Sequence, residues 1–148
     1  MPIGPTIVTN ETELRTAILN GEDIQFANDI TLTADLPAIQ SSITIDGAGF
    51  TLNGDNTYRG LFIGAWQTGT DTQIAVSVTI HDLEIENAVA IGGNGADGGG
   101  GGAGLGGAIF VANMATVTVS DVSLVGNAAM GGDGSAIISN PGGGGGGM

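Results

Sequence analysis

Lysine and cysteine are both absent from this sequence. Without cysteine there is no disulfide, no thiol chemistry and no cysteine-ligated zinc. Without lysine the permanent cations reduce to Arg15 and Arg59, set against 15 acidic residues, for a formal net charge of −13. Such a chain cannot neutralise phosphates, which argues against nucleic-acid partners and anionic membrane surfaces. Aromatic residues are scarce, at 4% of the chain. No apolar run approaches the roughly 18 residues of a membrane span, so direct membrane insertion is not expected. The opening Met1-Pro2-Ile3-Gly4 shows neither a basic segment nor an apolar one of signal-peptide type. The composition favours a mature or excised piece of an exported protein.

What the chain has in excess is glycine, 29 residues of it, and internal repetition. Residues 78–87 read VTIHDLEIEN and residues 118–127 read TVSDVSLVGN. Each is two short stretches of period two joined at a corner that carries an aspartate. A looser copy, ITIDGAGFTLNG, occupies 43–54. Matching these lines by residue type aligns Asp46, Asp82 and Asp121 as corner residues and Asn87 with Asn127 as strand ends. Both sets read as ladders of structural residues whose side chains bond nearby backbone. Repeated strand–corner–strand units predict stacked coils. The fold class expected is therefore all-β: a right-handed parallel β-helix forming one domain over 1–148.

One helix interrupts the strand pattern. Asn10 is a good N-cap, Glu13 stands where a capping box needs it, and Leu14, Ala17 and Ile18 share one face. Gly21 ends the segment. An amphipathic helix over 10–20 is expected to lie across the N-terminal end and cap the core. Two glycine-rich tracts, 92–107 and 131–147, read as flexible loops, with a strand over 135–139 between the second tract's glycines. A terminus inside such a tract suggests a fragment of a longer repeat protein.

The order TELRTAI, DIQFA, ITLT, then SSITIDG resembles the N-terminal end of parallel β-helices in bacterial surface and autotransporter-type proteins. Gly106-Gly107-Ala108-Ile109 with Phe110-Val111-Ala112-Asn113 is similar to the GGA[ILV] and FxxN repeats of polymorphic outer-membrane protein passengers. The resemblance implies a structural or adhesive role at the bacterial cell surface or outside the cell, without catalysis. Its partners are then neighbouring coils of a parent protein, another copy end to end, or a carbohydrate or host surface.

The alternative is a carbohydrate-binding or polysaccharide-degrading protein. Glycoside hydrolysis needs two opposed carboxylates, and lyase chemistry a base plus cations for uronate carboxylates. Only Arg59 is free of the helix for that purpose. Tyr58 and Trp66, with His81, are the candidate sugar contacts. His81 otherwise reads as a corner residue, since Ser120 fills its slot in the other copy. No cofactor is required. Calcium is the one ion to consider: Gly92-Gly93-Asn94-Gly95-Ala96-Asp97 fits the start of the GGxGxDxUx turn, although Gly99 fills its apolar position. The candidate ligands are Asn94, Asp97 and Asp133.

Overall fold

The computed structural model describes residues 3–64, 66–67, 72–73 and 75–135, with the side chains of Trp66 and Gln67 outside that description. The chain opens with β1 (Thr6–Val8), α1 (Glu11–Asn20), β2 (Ile24–Phe26) and β3 (Ile30–Thr31). Then come β4 (Thr44–Asp46), β5 (Thr51–Asn53), β6 (Leu61–Ile63), β7 (Trp66–Gln67) and β8 (Thr72–Gln73). It continues through β9 (Val76–His81), β10 (Glu84–Glu86) and β11 (Val89–Ile91), then β12 (Ile109–Val111), β13 (Ala115–Ser120), β14 (Ser123–Val125) and β15 (Ala128–Met130).

The strands form several small sheets. The widest, β1-β2-β4-β9-β13, is parallel throughout, as is β3-β5-β10-β14. Two further parallel pairs are β6-β12 and β11-β15, while β7 and β8 pair antiparallel. Alternation explains which side chains turn inward: Ile24, Ile45 and Ile80 lie side by side in the first sheet, and Leu52 and Ile85 in the second. All five are buried in one continuous core with Phe26, Leu32, Ile39 and Ile63. Each large aliphatic side chain buried there contributes about 1.5–3 kcal/mol.

The closed right-handed β-helix expected from the repeats is not what forms. The sheets have five, four, two and two parallel strands, the antiparallel pair β7–β8 stands among them, and no closed solenoid results. The physical reason lies in the spacing. Ile24 pairs with Ile45, Ile45 with Ile80, and Ile80 with Val119, so the chain length between paired positions nearly doubles from first step to last. Unequal intervals cannot supply one strand to every sheet at every step. The coarser expectation fits: the fold is mostly β, with one short helix.

That helix is set by its ends. Asn10 Oδ1 accepts the Glu13 N–H at 3.0 Å, and Gly21 closes the helix with φ +69. Glu13 reaches back to the Thr9 N–H and hydroxyl rather than to Asn10. Leu14, Ala17 and Ile18 are buried against the core. Glu11 accepts the Thr33 N–H at 3.0 Å, and Arg15 donates to the Asp35 carbonyl at 2.6 Å. The helix thus spans from the edge strand β1 to the chain just beyond the edge strand β3. No helix among the described residues is long and apolar enough to cross a membrane.

The loop tract at 92–107 makes backbone hydrogen bonds within itself and to residue 132. The Gly93 carbonyl accepts the Gly102 N–H at 2.7 Å, and the Gly102 carbonyl accepts the Gly132 N–H at 2.8 Å. Gly101, Gly104 and Gly107, three residues apart, press against the carbonyl oxygens of Gly132, Met130 and Ala128. The strand expected over 135–139 lies outside the described residues beyond Ser135, as does the rest of the 131–147 tract.

Candidate functional site

Three places gather side chains that could act. The first is the corner where β4 and β9 end. Parallel register puts Asp46 level with His81, and His81 level with Ser120. In register Asp46 is therefore one position off Asp82, and Gly47 lies against the Asp82 carbonyl. Asp82 and Asp121 match in backbone, both with φ +51. His81 Nδ1 lies 2.8 Å from Asp82 Oδ2 and 3.6 Å from Asp46 Oδ1. Asp46 also accepts from Gln25 Nε2 at 3.1 Å and from the Ala48 N–H at 2.8 Å. These contacts tie three strands together at their ends.

The hydrogen bond to Asp82 raises the His81 pKa above its ordinary value; partial burial opposes this, and the charges of Asp46, Asp82 and Asp121 reinforce it. A histidine with a raised folded pKa adds stability that is fully present below its unfolded value of about 6.5 and is lost as pH rises through the folded value. Asp82→Asn is therefore expected to lower the His81 pKa, read from its ring proton shifts. It should also destabilise the fold more at mildly acidic pH than at alkaline pH. An unchanged His81 titration would remove Asp82 as the cause. Asp46, His81 and Asp82 hold their ligand atoms within 4.8 Å of one another, the single such group among the described residues.

The second place is the glycine tract. Asn94 Oδ1 accepts the Asp133 N–H at 2.9 Å, and the Asp133 carbonyl accepts the Gly95 N–H at 2.7 Å. Asp97 sits exposed in the turn between Ala96 and Gly99 with φ +49. Asn94 and Asp133 are thus joined to each other, and the Asn94 oxygen is engaged by backbone.

The remaining sequence candidates are placed as follows. Asn87, with φ +51, is level with Gly126 at φ +63, not with Asn127. Asn127 instead accepts the Ala88 N–H and donates to the Ile85 carbonyl, both at 2.8 Å, which stitches adjacent strands. Tyr58 packs partly buried on the core. Trp66 is placed by its backbone in β7, and its side chain lies outside the described residues.

Sequence reasoning missed a second set of stitches. Asp23, Asp29 and Asp35 accept the N–H groups of Thr44, Thr51 and Arg59, at 2.7, 2.9 and 3.0 Å. The signal was available: three aspartates at a constant spacing of six. Each side chain bonds the next pass of chain, with a net worth near 1 kcal/mol.

The third place is the end of the sheets opposite α1. The strands β12, β13, β14 and β15 are all edge strands. Ile80 and Ile85 are fully buried, but their paired neighbours Val119 and Leu124 are 53% and 55% exposed. Val125 and Met130 are similarly bare. One end is covered by a helix, and the other shows core-type side chains and, among the described residues, strand edges with no further partner strand. No protein-family model, curated protein or solved structure matches the chain.

Proposed function

We propose that the chain is a non-catalytic structural segment of a bacterial extracellular or cell-surface protein, and that its open sheet end docks onto the same end of a second copy. The observation that carries this is the contrast between paired positions: Ile85 has no exposed surface while Leu124, beside it, has more than half. A bare parallel edge with alternating apolar residues is a template for further strands. The helix α1 blocks the opposite end, so copies meet open end to open end. That contact is self-complementary and two-fold, and it closes at a dimer instead of growing into a fibre. The cysteine-free, lysine-free composition and the GGAI and FVAN segments support the surface setting.

Sedimentation velocity across a wide concentration range tests it. The expected result is a monomer–dimer equilibrium that stops at two, and a monomer at every concentration for Leu124→Lys. A strict monomer for the unmodified chain, or a dimer indifferent to Leu124→Lys, overturns it.

A further inference from the structure

The chain's one arginine outside the helix lines a cleft and forms no ion pair among the described residues. Arg59 follows the turn at Asp55–Asn56 and precedes β6. Its backbone N–H is fixed by Asp35. Its guanidinium carbon lies 5.0 Å from the centre of the Phe62 ring. Phe62 is paired in register with Phe110, and the two rings stack at 4.7 Å with 25° between their planes. Leu61 and Ile63 turn into the core, so alternation sends Phe62 outward to form this wall.

Arg59 Nε is buried and has no hydrogen-bond partner. Burying a charged donor without a partner is costly. Yet 15 acidic residues are present, and none forms an ion pair with Arg59 among the described residues. Arg59 lines a cleft of about 360 Å³. Its walls include Phe62, Phe110, Ile91 and Leu105, with Asp35 at its edge. Ile91 and Leu105 are 61% and 48% exposed. The place therefore combines a half-buried guanidinium that forms no ion pair with bare apolar surface.

We infer that this cleft binds a small monocarboxylate with an apolar or CH-rich body. A carboxylate matches the planar guanidinium fork and supplies the counter-charge that Arg59 lacks among the described residues. The ligand body lies against the stacked rings and the Leu105 and Ile91 side chains. A single negative charge is selected because a net charge of −13 and the neighbouring Asp35 repel polyanions and dianionic phosphates. Aromatic acids and single acidic sugars share this chemistry. Neither Val119 nor Leu124 lines the cleft.

The test is titration of the full chain with benzoate and with glucuronate, against benzamide and glucose as neutral counterparts, followed by amide shift changes and calorimetry. The expected result is saturable binding of at least one acid, at least about tenfold tighter than its neutral counterpart, which is the discrimination one charged hydrogen-bonded contact gives. Benzoate alone marks an aromatic acid, glucuronate alone an acidic sugar, and both mark general carboxylate recognition. Arg59→Gln should abolish binding. Leu105→Asp, on an exposed position, should abolish it too by placing a carboxylate in the cleft while leaving the core untouched. Absence of binding, equal binding of the neutral compounds, or binding unaltered in both variants overturns the inference.

Discussion

Ile85→Ala is expected to cost about 2–5 kcal/mol of folding stability, whereas Leu124→Ala, its neighbour across the strand pair, is expected to cost less than about 1 kcal/mol in the monomer. Both are large aliphatic residues on the same face of adjacent parallel strands, three atoms apart from Ala in their side chains. What differs is what covers them. Ile85 lies between Leu52 and Leu124 and has no exposed surface. Its truncation leaves a void that the flanking strands, each hydrogen-bonded to its neighbour, cannot close. Leu124 has strands on one side only. Its truncation removes surface already in contact with water. Urea unfolding at a dilution where the chain is monomeric reads both values. At higher concentration the Leu124 variant acquires a second effect, because the residue then lies in the proposed contact and its loss weakens association. Equal costs for the two substitutions in the dilute monomer would show that Leu124 is already covered, and the open end would have to be abandoned with it.

Much of the local structure was legible in the residues. Asn10, Glu13 and Gly21 announce a helix, and the face formed by Leu14, Ala17 and Ile18 announces what it covers. Alternation in 76–86 announces strands, and the parallel pairing follows from two lines of text that repeat. The register was less accessible. Matching aspartate to aspartate put Asp46 beside Asp82, and matching asparagine to asparagine put Asn87 beside Asn127. The backbone ladder sets Asp46 by His81 and Asn127 one place past Asn87's partner, Gly126. Residue type misleads here because the corner tolerates Gly47 where another strand has Asp82: what is common is the backbone path, not the side chain. The solenoid reading rests on the repeats, on corner spacings read as coils with inserted loops, and on the resemblance; none of these fixes whether each pass adds a strand to every sheet. The cleft at Arg59 depends on Phe62 and Phe110, 48 positions apart in sequence, meeting across β6 and β12. The scarcity of cations pointed at Arg59, but nothing local pointed at its rings.

The glycine tract is where composition and structure diverge most, and it yields the second large effect. Glycine-rich chain reads as flexible because glycine loses the most freedom on ordering. That cost is met here by close approach. A Cβ on Gly104 would collide with the carbonyl oxygens of Met130 and Ala90, one from each strand of the β11–β15 pair. Those carbonyls belong to hydrogen-bonded backbone, so neither can give way. Gly93, by contrast, has nothing within 4 Å of a Cβ position and no left-handed φ. Gly104→Ala is therefore expected to destabilise the fold by about 1–3 kcal/mol through overpacking. Gly93→Ala should be neutral or stabilising by about 0.4–1 kcal/mol, because it restricts the unfolded chain at no cost to the folded one. In a flexible loop both substitutions would act through the unfolded state alone and would agree in sign. Urea denaturation separates the cases, and slow exchange of the Gly102 and Gly132 amides is the independent sign that the tract is packed. Agreement between the two variants would return the tract to a loop. Opposite signs would mean that glycine is required for contact between backbones, and since Gly104 also lines the Arg59 cleft, the same substitution should weaken carboxylate binding as it loosens the fold.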